Sequence, residues 1–295
     1  MPPAMKASRS EFIEVLGIPI HIRRWGEKGQ PTIFLLHGWQ DASATFQFMV
    51  DGFTRHFNII APDWHGFGLS AWGSGFYHLS DYAACLDAIL DAYSPDRPAM
   101  LVGHSMGGNV SGLYAGARPE RVAKWVNMEG YAPVPGYGGR SPAKVLSRWL
   151  RHRNPREEDT FFESQSAVNE EFSRLYPRLS DDRRAFLIEH LTVERAEGRW
   201  AYRSDPRARV ITALPLAADQ VKDIWSNVTA DTLCLRGARS FVTSAFAEHP
   251  ADLAERLGTL RRGREIVIED AGHNMHHDQP LQVAALIEAF LTGSL

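Results

Sequence analysis

The chain has 295 residues, 44% of them hydrophobic, and 32 basic against 35 acidic side chains give a net charge of −3. That is enough apolar material for one large α/β domain or two small ones, and without a basic run or stripe there is no electrostatic footprint for nucleic acid or an anionic membrane, so a small-molecule substrate is the expected partner. The opening M-P-P-A-M-K-A-S-R-S lacks the apolar core of a signal peptide and no long uncharged apolar stretch follows, which predicts a cytoplasmic protein with no membrane span.

Phe12 to Trp25 alternates around Gly17-Ile18-Pro19 and reads as an antiparallel hairpin at a sheet edge. Pro31 then introduces a buried strand, Thr32 to Leu36, that stops at His37-Gly38-Trp39, where a glycine lets backbone amides face outward just past a strand's carboxyl end. Ligands bind at that edge of a parallel sheet. Ala44 to Arg55 is helix-like, and Asn58 to Ala61 is a strand leading into P-D-W-H-G-F-G-L-S. Asp63 in this glycine-rich turn reads as a backbone cap rather than as a catalytic acid. Leu79 to Tyr93 has a helical period with Ser80 and Asp81 at its start. Cys85 falls in that helix and Cys234 in a later strand, and two cysteines without metal-ligand spacing read as reduced and buried.

The most informative stretch is P-A-M-L-V-G-H-S-M-G-G-N-V-S-G-L-Y-A-G-A-R, residues 98–118. Ala99 to Val102 is a short buried strand, and the chain turns helical after Ser105. Gly103 and Gly107 flank the serine at minus two and plus two, where a Cβ would collide as strand reverses into helix. Gly108, Gly112 and Gly116 recur on one helix face and allow close approach to the sheet. A G-x-S-x-G alone is a modest signal, and the strand before it and the helix after it carry the reading.

Val122 to Met128 forms the next strand, ending in Glu129-Gly130-Tyr131; Gly136, Gly138 and Gly139, with Pro133 and Pro135 among them, mark a boundary. From Ser141 to about Trp225 the composition shifts to Arg, Glu and aromatics, with helical spacing over 142–151, 157–175 and 181–197 and no buried-strand run. Such a block between sheet strands predicts a helical lid over 136–227, leaving 1–135 and 228–295 as the core domain. Within it the run Arg199 to Pro206 either lines the cleft or packs the lid; Trp200 is assigned to the pocket. The sheet resumes at Asp231 to Arg236, followed by Gly237-Ala238-Arg239-Ser240, a helix through Ala245 to Leu257, a strand Glu265 to Glu269, the loop D-A-G-H-N-M containing His273, and a last helix, Pro280 to Leu291, capped by Asp278.

The elbow with its strand and glycine-faced helix resembles that of the α/β-hydrolase fold, and the resemblance runs from the hairpin to the last helix, weakest in the middle. It implies an α/β class, a mostly parallel doubly wound sheet with an inserted lid, and a serine hydrolase needing neither cofactor nor metal and acting on an ester or related carbonyl compound through an acyl-enzyme. Ser105 matches the family's nucleophile and His273 its histidine, in the fold's usual chain order. His37-Gly38-Trp39 is similar to the family's oxyanion segment, which implies backbone N–H donors from Trp39 and from Met106. His37, Gly38, His104 and Trp200 are expected at the substrate pocket, although His104 and His65 also read as structural. His276 and His277 show no metal-ligand spacing.

The chain departs from the commonest family pattern at the acid. Ser240 stands in G-A-R-S where the family usually has Asp, and a serine cannot serve as the anionic orienter. Glu129, ending the strand after the elbow unit, should emerge at the same sheet edge and is the expected acid, with Asp270 and Asp63 as rivals. The same scaffold also hosts carbon–carbon bond hydrolases, cofactor-free dioxygenases built on the histidine–acid dyad, and ligand sensors with slow hydrolysis. Ser105 disfavours the aspartate-nucleophile relatives, haloalkane dehalogenases and epoxide hydrolases.

Overall fold

Short, continuously apolar runs bury on both faces only when helices cover both sides of a sheet, and the chain supplies such runs and helices in alternation. A computed structural model of the chain describes residues 4–75, 77–136, 141–152, 161–195, 198–209 and 216–295. The strands are β1 Arg9–Val15, β2 Ile18–Trp25, β3 Thr32–Leu36, β4 Asn58–Pro62, β5 Ala99–His104, β6 Val122–Met128, β7 Phe161–Phe162, β8 Thr192–Glu194, β9 Trp200–Tyr202, β10 Asp231–Gly237 and β11 Gly263–Ile268. The helices are α1 Gln47–Gly52, α2 Leu79–Tyr93, α3 Met106–Ala117, α4 Pro142–His152, α5 Gln165–Leu175, α6 Asp181–Leu191, α7 Ala218–Ser226, α8 Phe241–Ala247, α9 Pro250–Thr259, α10 Met275–Asp278 and α11 Pro280–Thr292.

Eight strands form one sheet in the order β1-β2-β4-β3-β5-β6-β10-β11. The hairpin β1–β2 and its junction with β4 are antiparallel, and every pairing from β4 to β11 is parallel. The two-residue period of a strand sorts the side chains to opposite faces. Phe34, Leu36 and Leu101 join the cluster that holds Leu86, Ile89 and Val110 of α2 and α3. Ile33, Leu35 and Val102 join the one that holds Met49 of α1 and Ile287 of α11.

The middle of the chain is less helical than its composition suggests. It contains a small antiparallel sheet, β7-β9-β8, alongside α4, α5 and α6. Val168 and Phe172 of α5 and Leu187 and Leu191 of α6 pack with Ala42 and Phe48 of the sheet domain. By contrast α7, counted with the inserted block in the sequence, lies against the sheet domain: Trp225 meets Trp125 of β6 edge-on at 5.5 Å, and a Cβ on Gly116 of α3 would come within 2.1 Å of the Ile224 carbonyl oxygen. Gly138, Gly139 and the start of the helical spacing at Glu157 lie outside the described residues.

Local chemistry accounts for the other differences. The helix expected over 245–257 is two helices, α8 and α9, because Pro250 cannot continue the first and starts the second. The stretch 44–55 opens as a 3₁₀ turn, Ser43–Phe46, before α1. Asp278 does not cap α11, which has no side-chain cap; its carboxylate instead accepts the Gly272 N–H at 2.8 Å. Among the described residues no helix is long and apolar enough to cross a membrane.

Candidate active site

The parallel strands β3, β5, β6, β10 and β11 all end at one sheet edge, so the loops that follow them converge there. At the end of β5, Ser105 takes φ 51° and ψ −111°, a conformation that side chains with a Cβ rarely adopt and that occurs at functional turns. The turn closes only because its flanks are glycine: a Cβ on Gly103 would lie 2.4 Å from the Gly107 carbonyl oxygen, and one on Gly107 2.1 Å from that of Leu36. The Ser105 N–H donates to the Met128 carbonyl at 2.8 Å, tying the elbow to the neighbouring strand.

His273 lies between β11 and α10. Its loop is held by the Gly272 N–H on Asp278 and by His104, whose Nε2–H donates to the His273 carbonyl at 2.9 Å. Glu129 follows β6 with φ 62°, and its fully buried side chain faces the same point. Oε1 of Glu129 accepts the Gly237 N–H at 2.8 Å, and Oε2 accepts the Ser240 hydroxyl and, at 3.0 Å, the His273 Nδ1–H. Across the ring, His273 Nε2 stands 2.9 Å from Ser105 Oγ. A carboxylate only accepts, so Nδ1 carries the ring proton and Nε2 presents its lone pair to the serine hydroxyl. Phe241 packs against the His273 ring at 4.7 Å.

The two rival carboxylates stand elsewhere. Asp270 points outward, 64% exposed, and pairs with Arg239. Asp63 is buried and accepts hydrogen bonds from His21 Nδ1 at 2.9 Å, the Ser43 N–H at 2.6 Å and the Leu69 N–H at 2.8 Å. Burial alone would raise its pKa, but the hydrogen bond and charge of His21, with His37 and Leu69, hold it well below the usual carboxylate range. It closes its own turn through Leu69 and ties that turn to β2 and to Ser43, as a turn-capping residue would.

The residues expected around the serine divide. A Cβ on Gly38 would lie 2.9 Å from His104 Nδ1 and 3.3 Å from Ser105 Cβ, so the glycine abuts the elbow. Trp39 follows it, half-exposed, and its indole N–H donates to the Ala208 carbonyl of the inserted block at 2.7 Å. Met106 is the first residue of α3, where a backbone N–H has no partner within the helix. His37, expected at the pocket, is instead a buried strut: Nδ1–H donates to the Gly38 carbonyl at 2.7 Å and Nε2 accepts the Trp64 N–H at 2.9 Å. Burial lowers its pKa to about 4, so it is neutral. Trp200, also assigned to the pocket, belongs to β9 and lines a separate pocket of about 360 Å³ with Gln165, Ile188, Val193 and Arg203. His65 stacks on Tyr77 at 5.4 Å and meets Tyr82 at a tilt, 4.5 Å away.

Two features escaped the sequence. Ser240 is the N-cap of α8, accepting the Val242 N–H at 3.1 Å, while its hydroxyl serves Glu129; a serine just before a helix signals the cap, but nothing in the sequence signals the second bond. Asp41, His104 and His276 lie with one potential ligand atom each within 4.8 Å of one another, a proximity that no linear spacing reveals because the three come from the loop after β3, the end of β5 and α10. Burial pushes the Asp41 carboxyl up to about 7 and holds His104 and His276 well below the usual imidazole range. Cys85 and Cys234 are free and buried, and burial pushes both thiols up to about 12, so neither is poised as a nucleophile.

Known proteins are similar in sequence and in fold along most of the chain. A serine hydrolase-like protein of Danio rerio is 26% identical over 283 residues, covering 90% of this chain and 83% of its own. The lipase LipV of Mycobacterium tuberculosis is 28% identical over 274 residues, covering 93% and 98%. Among solved structures, a thioesterase domain from the curacin biosynthetic pathway superposes with a TM-score of 0.81 at 23% identity, covering 95% of this chain and 99% of that one. An E-2-(acetamidomethylene)succinate hydrolase superposes with a TM-score of 0.78 at 22% identity, covering 97% and 100%. The family model for the alpha/beta hydrolase fold matches residues 31–280, and the chain belongs to that family.

Proposed function

We propose that the protein is a serine hydrolase that cleaves an ester or related carbonyl substrate through an acyl-enzyme, with Ser105 as nucleophile, His273 as general base and then acid, and Glu129 as the orienting carboxylate. The observation that carries this is the relay Ser105 Oγ, His273 and Glu129, at 2.9 and 3.0 Å. Removal of the hydroxyl proton by Nε2 frees Oγ to attack the carbonyl carbon, and the imidazolium that forms is stabilised by the buried carboxylate. The proton then passes to the leaving group, and a water activated by the same nitrogen releases the acid. The backbone N–H groups of Trp39 and Met106 are the proposed donors to the oxyanion. Relatives described as serine hydrolase-like and as a lipase support this reading.

The inserted block is the proposed lid. Its contacts with the site side of the sheet, Trp39 to Ala208 and Tyr77 to Asp205 at 2.7 Å each, support a role in shaping substrate access. A fluorophosphonate probe tests the assignment: a single adduct at Ser105 by mass spectrometry, lost in His273→Ala, is the expected result, followed by turnover of a p-nitrophenyl ester series. A folded protein that takes no label would overturn it and favour a binding role.

A further inference from the structure

Three buried side chains beside the Ser105 group take no part in the chemistry proposed above. Asp41 lies in the loop after β3, His104 ends β5, and His276 sits in α10, three residues past His273; each is more than nine-tenths buried. They meet from three separate segments, with one oxygen or nitrogen of each within 4.8 Å of the other two.

The protonation pattern of His104 prepares it as a ligand. Its Nε2–H is committed to the His273 carbonyl at 2.9 Å, which leaves Nδ1 as a bare lone pair. That nitrogen is buried and has no hydrogen-bond partner among the described residues, and neither has either ring nitrogen of His276. Buried polar atoms are nearly always satisfied, so three unsatisfied nitrogens in one place call for an occupant. An imidazole whose other N–H is held by a backbone carbonyl is the arrangement in which proteins present histidine to a metal. Two imidazole nitrogens and one carboxylate oxygen make the three-ligand set of an open four-coordinate centre.

The geometry points to a site for one divalent transition-metal ion of the zinc class, bound by Asp41, His104 Nδ1 and His276 with its fourth position open. Ligand atoms around a tetrahedral ion with bonds of about 2 Å stand roughly 3.3 Å apart, so binding draws the three segments inward. Gly38, Ser105 and His273 lie within three residues of those ligands in the chain.

The test uses the full chain, stripped with EDTA, desalted and titrated with CoCl2 under visible absorption, with ZnCl2 added as competitor. The site predicts one equivalent of cobalt with the intense bands of four- or five-coordination, displaced by one equivalent of zinc. Asp41→Asn and His276→Gln should each weaken binding by at least about tenfold. In parallel, nitrogen-15 spectra of the wild-type histidines should show cobalt broadening His104 and His276 while the exposed His56 and His249 stay sharp. Absence of the bands, variants that bind as wild type does, or broadening centred on exposed histidines would each overturn the site, and the wild-type spectra decide even if neither variant folds. Bridging water alone gives the first of these results. Ion binding is read without substrate, so its failure leaves the hydrolase assignment standing, and failure of Ser105 labelling leaves the metal site standing.

Discussion

Glu129→Gln isolates the charge of the proposed acid at constant shape, and the surrounding donors set its effect. Glu129 receives three: the Gly237 N–H on Oε1, and the Ser240 hydroxyl and His273 Nδ1–H on Oε2. An amide has one accepting oxygen and one donating nitrogen, so one side must now present donor to donor. With the oxygen toward Gly237, the amide N–H faces His273 Nδ1, and the ring escapes only by moving its proton to Nε2, where it can no longer accept from Ser105. With the oxygen toward His273, the buried Gly237 N–H loses its acceptor, at about 1–3 kcal/mol, and the imidazolium still lacks its counter-charge. Loss of an orienting carboxylate typically costs on the order of 10⁴ in kcat, or about 5.4 kcal/mol of barrier. The variant should therefore fold, keep KM within a few-fold and lose nearly all turnover of a p-nitrophenyl ester, with Ser105 labelling slowed in proportion. Turnover within about tenfold of wild type, or an equal loss in Asp270→Asn, would refute the reasoning.

Ser240→Ala removes an N-cap and one donor to Glu129 but leaves Gly237 and His273 in place, so a loss of about 1 kcal/mol in urea denaturation and no more than about tenfold in kcat is expected; a loss as deep as that of Glu129→Gln would mean that the serine takes part in proton transfer. Asp63→Asn leaves donors around a buried site short of their charged acceptor and should cost about 3 kcal/mol of stability, while turnover per folded molecule stays within a few-fold; an unchanged urea midpoint would refute its role as a loop tie. Burial lowers His37 to about 4 and His277 to about 3 and holds His104 and His276 well below the imidazole range, so these rings stay neutral folded but charge near pH 6.5 unfolded. Stability is thus full above pH 6.5 and falls as the pH drops toward 5.5, while Asp41, raised to about 7, acts oppositely and offsets part of that loss, leaving a net destabilisation. Denaturant melts with equal midpoints at pH 7 and 5.5 would show that the rings protonate without unfolding.

Most of the sheet was legible because the physics of its strands is local. Val122 to Met128 and Leu79 to Tyr93 have the bounds their patterns predict, since a buried strand must be apolar throughout and a helix on a sheet must be apolar every third or fourth residue. Where tertiary packing chose between readings, the sequence was silent. Trp200 and Tyr202 sit in a non-periodic run whose strand, β9, exists only because β7 and β8 pair with it. His37 looked like a cleft residue because it adjoins Gly38, yet its two nitrogens are used by Gly38 and Trp64, a partner 27 positions away. The cluster of Asp41, His104 and His276 was hidden for the same reason.

The acid shows which constraints the fold leaves free. In register, Met128 of β6 stands beside Leu235 of β10, so the ends of these two strands are neighbours and a carboxylate rising from either can reach the histidine loop. Family resemblance places it after β10, and here the chain puts a serine there. In the proposed triad the missing charge comes instead from Glu129, which follows β6 with φ 62°. Ser240 then has a use that an aspartate in its place would not allow, since a second anion would repel the first, whereas its hydroxyl donates to Glu129. The two substitutions are therefore coupled. Placing Asp at position 240 beside Glu129 should harm the site, and only together with Glu129→Gln does it offer His273 a single carboxylate again. What the geometry fixes is one buried anion at the Nδ1 of His273, and the strand that delivers it is a choice left to the sequence.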